Sequence, residues 1–140
     1  MTASNRGGMM SANNMGPALF ILRVGLGVFL LLWSIDKLVA PEQTVMIFSH
    51  FYSLSIGATL ARVIGVAELL LSVSIILGFR KTISYGLGTA LHAVSTLSTT
   101  DQLLSPFGKN HLFIAALPVL AAFVALFLLR KRDRLLCIDA

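Results

Sequence analysis

Charge is scarce in this chain. Lysine, arginine, aspartate and glutamate supply 12% of its 140 residues, where an ordinary soluble domain carries about a quarter. That shortage excludes a conventional wetted surface. With 56% hydrophobic residues and a mean hydropathy of +0.87, it calls for a one-domain integral membrane protein. Acid is scarcer still: six acidic against eleven basic residues give a formal charge of +5. The clearest basic cluster is a short tail, Arg130-Lys131-Arg132 with Arg134, next to an apolar run. There it acts as a topology signal, and nucleic acid is not the expected partner. Cysteine occurs once, at Cys137, so an intrachain disulfide, a redox dithiol and a cysteine-based zinc site are excluded. Palmitoylation of that tail cysteine stays open. No GxSxG, HExxH, P-loop or glycine-rich nucleotide turn is present. No pair of histidines is placed to hold a haem between spans.

What the chain does contain is long apolar runs. The central one is Leu60 to Gly78, LARVIGVAELLLSVSIILG, with Glu68 near its middle. An ionised acid at that depth costs several kcal/mol, roughly 2.5–3.5 on insertion scales, unless it is paired, hydrated or neutralised. Ala61, Gly65 and Ser72 share the Glu68 face, whereas Val66, Leu70, Val73 and Leu77 lie opposite. Glu68 should therefore point into an interior that other helices build.

Residues 1–16 are polar and aperiodic and read as a disordered cytoplasmic leader. A signal peptide fits poorly, because Arg23 interrupts the next run and no A-x-A site follows. The first span is 17–35, opened by Pro17. Arg23, Gly27, Leu30, Ser34 and Lys37 form a packing seam along it. Trp33 suits the membrane interface. Pro41 to Tyr52 reads as a short amphipathic surface helix, with Val45, Phe48 and Tyr52 turned to the membrane or the bundle. Further spans follow at 60–78, 82–100 and 112–129, with a basic tail at 130–140. In the third, Tyr85, Gly88, His92, Ser95 or Thr96, and Thr99 share one face. In the fourth, Ala115, Pro118, Ala122 and Ala125 repeat at small-residue spacing. The expected fold is an all-α, four-helix transmembrane bundle with a surface helix after the first span. The basic residues put both termini in the cytoplasm of a bacterial-type inner membrane.

Counting depth at about 1.5 Å per residue puts Glu68 and His92 each about 15 Å from the inner surface and Arg23 about 9 Å. A buried Arg23–Glu68–His92 cluster follows as an expectation. It can be a proton-exchanging or quinone-binding site, or an ion pair that fixes helix register. Asp36, Lys37 and Arg62 form a second expected cluster at the outer surface. Met46, His50 and His111 make a poor metal set, and none is assigned.

Two stretches carry a family resemblance: Arg23-Val-Gly-Leu-Gly-Val-Phe followed by Asp36-Lys37, and Gly65-Val-Ala-Glu68-Leu-Leu-Leu followed by Gly78. The chain resembles the DoxX-like family of small four-helix membrane proteins. Ser34 departs from the family pattern, where glycine is common before the lysine. Named members are small subunits of thiosulfate–quinone oxidoreductase and quinol oxidase complexes, and others are linked to oxidative-stress complexes. The resemblance implies a non-catalytic subunit of a redox or quinone-linked complex, with the bilayer and other subunits, or copies of itself, as partners. A structural docking subunit and a minimal proton or solute transporter are the alternatives.

Overall fold

The computed structural model describes the backbone of residues 4–139 and the side chains of residues 14–139. All regular elements there are helical: α1 (Ser4–Val39), α2 (Pro41–Tyr52), α3 (Ala58–Leu77), α4 (Lys81–Ser98), the short α5 (Thr100–Leu104), a 3-10 segment (Gly108–Ala115) and α6 (Ala116–Leu128). The aperiodic leader expected over residues 1–16 is helical from Ser4 onward, while residues 1–3 lie outside the described ones. Once a long helix is nucleated downstream, each further residue costs little to add.

Four long helices close a ring. α1 packs on α3, α3 on α4, α4 on α6, and α6 back on α1. Three helical stretches are long and apolar enough to cross a membrane: Asn14–Val39, Ala58–Leu77 and Gly108–Leu128. The third combines the 3-10 segment and α6. α4 has 18 residues but is too polar, averaged over its length, to join them. Its polarity is one-sided. Ser84, Tyr85, Gly88, His92 and Thr96 are buried, whereas Ile83, Leu87, Leu91, Val94 and Leu97 are exposed.

The same inversion runs through the bundle. α3 buries Ala61, Gly65, Glu68 and Ser72 and exposes Val66, Leu70, Val73 and Leu77, as the sequence pattern requires. The core is small and mostly aliphatic: Leu19, Leu26 and Leu30 of α1 meet Ile75, Tyr85, Phe123 and Leu126. α2 covers the expected Pro41–Tyr52, with its inner side on α3 and α1. Val45, Phe48 and Tyr52 are half-buried there.

Two close approaches fix the antiparallel register of α1 and α3. Gly27 lies against Ser72 and Ile76, and Gly65 against Ser34 and Lys37. A Cβ on Gly65 would come within 2.9 Å of Lys37 Cβ and 3.2 Å of the Ser34 carbonyl oxygen. In this register Arg23 stands beside Gly78, at the very end of α3, while Glu68 stands near Ser34.

Candidate functional site

That register separates the residues expected to cluster. Glu68 is ten residues back along α3 from Gly78, or about 15 Å. Arg23 therefore does not meet Glu68. Each finds a different partner, and among the described residues His92 bonds with neither pair.

At one end of the bundle, Arg23 is fully buried and ion-paired with Asp133, Nη1 to Oδ1 at 3.1 Å and to Oδ2 at 3.2 Å. Tyr85 donates its hydroxyl to Asp133 Oδ2 at 2.6 Å. Arg23 Nη2 donates to the carbonyls of Leu135 (2.9 Å) and Leu136 (3.2 Å), and Nη1 also contacts Cys137 Sγ. The tail read as basic thus carries a buried counter-ion, Asp133. The tail turns back under the bundle and is tied there by its backbone. Ile138 N–H donates to the Leu77 carbonyl at 3.0 Å, Asp139 N–H donates to the Gly78 carbonyl at 3.4 Å, and Arg80 N–H donates to Asp139 Oδ2. Gly78 makes the turn possible. Its φ is +61°, and a Cβ would lie 2.6 Å from Cys137 Sγ and 2.9 Å from Arg23 Nη1. Only glycine meets both demands at low cost.

At the middle level, His92 Nε2 lies 3.2 Å from the Ala116 carbonyl oxygen. A carbonyl only accepts, so Nε2 carries the proton and Nδ1 is the acceptor. The ring makes an edge contact with Phe29 and packs tilted on Phe123, both with centroids 5.6 Å away. His92 therefore bridges α4, α1 and α6 by packing and one hydrogen bond.

Toward the other end, Lys37 Nζ meets Glu68 Oε2 at 2.7 Å. The lysine also donates to the Trp33 carbonyl and lies 5.6 Å from the Trp33 ring centroid. This dissolves the expected Asp36–Lys37–Arg62 cluster. Lys37 turns inward to Glu68, Arg62 is exposed, and neither Arg62 nor Asp36 forms an ion pair among the described residues. A long lysine stem can stay against apolar surface while its head reaches a buried acid.

His50 and His111 are exposed, and His50 packs edge-on against Phe51. Among the described residues no group of three histidine, cysteine, aspartate or glutamate side chains is placed to hold a metal. Cys137, outside the spans, is the one buried-edge thiol. Burial pushes its pKa up, Asp133 adds to this, and Arg23 and Lys81 oppose it without prevailing.

The DoxX family model matches residues 18–101, which is 84 of the 140 residues. The chain belongs to the DoxX family. The matched region holds Arg23, Lys37, Glu68, Tyr85 and His92, while Asp133 and the rest of the tail lie beyond it. Neither the curated proteins nor the solved structures yield a match.

Proposed function

We propose that this DoxX-family protein is a non-catalytic subunit of a redox or quinone-linked membrane complex. In this reading it crosses a bacterial-type inner membrane four times, with both termini in the cytoplasm. One observation carries the subunit role. Both deeply buried acids, Glu68 near the middle of α3 and Asp133 at one end of the bundle, are each held by a cation from another part of the chain. The ionisable groups brace the fold against itself. What remains on offer is an outward apolar surface, for lipid and for neighbouring subunits or a second copy.

The fourth crossing rests on α4. Eighteen residues span about 27 Å, and the polar residues that lower its hydropathy face the interior. The quinone link rests on family membership and on two polar atoms. Among the described residues Arg23 Nε is buried without a hydrogen-bond partner, and in the neutral His92 ring Nδ1 is left as an acceptor. A quinone carbonyl or a quinol hydroxyl pairs with groups of these two kinds.

Purification from native membranes in mild detergent tests the reading. The expected result is co-purification with quinone-reducing or quinol-oxidising activity and solvent-extractable quinone. A protein that emerges alone, free of quinone, from cells whose quinone turnover does not change on its deletion would overturn it.

A further inference from the structure

Beside the folded-back tail lies an open cavity of about 610 Å³ whose wall is dominated by cations: Arg80, Lys81, Arg130, Lys131 and Arg134. One carboxylate, Asp139, shares the wall, and it already accepts the Arg80 backbone N–H. Lys81 donates to the Asp133 carbonyl at 2.5 Å, and Arg130 donates to the Phe127 carbonyl at 2.8 Å and to Thr82 Oγ1 at 3.3 Å. None of the five cations is in an ion pair, because the two pairs among the described residues are Arg23–Asp133 and Lys37–Glu68. Bringing this many like charges around one hollow is unfavourable without a counter-charge.

The position of the hollow says which counter-charge. It opens where α4 begins and α6 ends, at the edge of the apolar surface. Ile83 lines it and is 53% exposed, and Leu87, one turn further along α4, is 54% exposed. A ligand that fits has an anionic head and an apolar tail running down this stripe. Basic hollows at the ends of membrane helices hold phosphate-bearing lipid heads.

We propose that this cavity binds the phosphodiester head of an anionic membrane lipid. Lys131, Arg134 and Arg80 supply the free charge. The acyl chain lies along Ile83 and Leu87.

The test uses the full chain in detergent with phosphatidylglycerol and phosphatidylcholine added in equal amounts. Bound lipid is read by native mass spectrometry, and thermal stability is read in parallel. The wild type is expected to retain phosphatidylglycerol preferentially and to gain stability from it. Among the described residues the side chains of Lys131 and Arg134 make no hydrogen bond, so K131Q/R134Q is expected to fold normally. It should lose about five-fold in affinity for each charge removed, and adding R80Q should abolish the preference. R62Q/K109Q, altered at the other end of the bundle, is expected to retain it. Equal retention of both lipids by the wild type, or an undiminished preference in folded K131Q/R134Q, overturns the proposal. So does inorganic phosphate alone, if at millimolar concentration it stabilises the wild type as well as the lipid does and displaces it. That result would mark a site for a soluble anion.

Discussion

Asp133 is one carboxylate holding three parts of the chain together: the tail that carries it, Arg23 of α1 and Tyr85 of α4. Removing one partner of a buried pair costs about 3–5 kcal/mol in soluble proteins. D133A should therefore lower thermal stability markedly and release the tail. Y85F removes a single hydrogen bond to a charged group, worth about 1.5–3 kcal/mol, and should be milder. The paired variant R23M/D133L should be less damaging than its single variants added together. Additive losses in a cycle of thermal or denaturant unfolding would show that the two do not interact. Cys137 reports the same event by chemistry. Its pKa is raised in the folded chain above the ordinary thiol value of 9.0. The folded state therefore holds this proton more tightly than the unfolded state does. The associated stability is complete below that ordinary value and is lost as pH rises through the folded one. Iodoacetamide at pH 8 should label wild-type Cys137 slowly, and D133A should raise the rate at least about ten-fold, because thiolate is the reactive form. Equal rates would mean that the tail is not docked by this pair.

At the scale of the element, the α1–α3 seam depends on backbone contact. G65L must push against Lys37 Cβ and the Ser34 carbonyl. It should part the two helices near the Lys37–Glu68 pair, lowering stability by about 1–3 kcal/mol as overpacking does. A milder loss for G25L is expected, since nothing lies within 4 Å of a Cβ there. Periodicity made much of this level legible. The small face of α3, the polar face of α4 and the limits of α2 could all be read because burial repeats every three or four residues. The pairing of charges could not. Arg23 and Glu68 are both buried on facing helices, as expected, but only the glycine contacts define the register, and they place the two about 15 Å apart. Lys37 looked like an outer-surface residue because it follows Asp36, yet its stem is long enough to turn inward. Asp133 was hidden in plain view, as one acid inside the basic run Arg130–Arg134. The contact it makes spans 110 residues and leaves no local period to detect.

For the whole molecule, the arrangement of faces predicts the crossings. If α4 spans, both termini share one side. On a C137S background, single cysteines at Ser49 and Ser105 should react with an impermeant maleimide from outside intact cells, and one at Arg134 only after permeabilisation. Labelling of Ser49 and Ser105 from opposite sides would mean that α4 does not cross. Two polar sets brace the ring. The Lys37–Glu68 pair braces the last turn of α1 on the middle of α3, and the Arg23–Asp133–Tyr85 set braces α1, α4 and the tail at one end of the bundle. They lie far enough apart for K37L/E68L and R23M/D133L to show nearly additive effects on stability. Strong non-additivity would show that the bundle transmits strain along its length.

The fold-back of the tail also bears on synthesis. Arg23 enters the membrane with the first helix, but its counter-ion is 110 residues further along the chain and is made only after all four long helices. Until then the guanidinium has to lean toward the headgroups, and the bundle cannot seal. A chain cut short before residue 133 never supplies the acid. Truncated or stalled products are thereby marked by an unneutralised arginine within the bilayer, a ready feature for membrane proteases that clear unfinished proteins. Pulse-chase of a chain ending at residue 129 should show rapid turnover, and R23M should restore much of its lifetime.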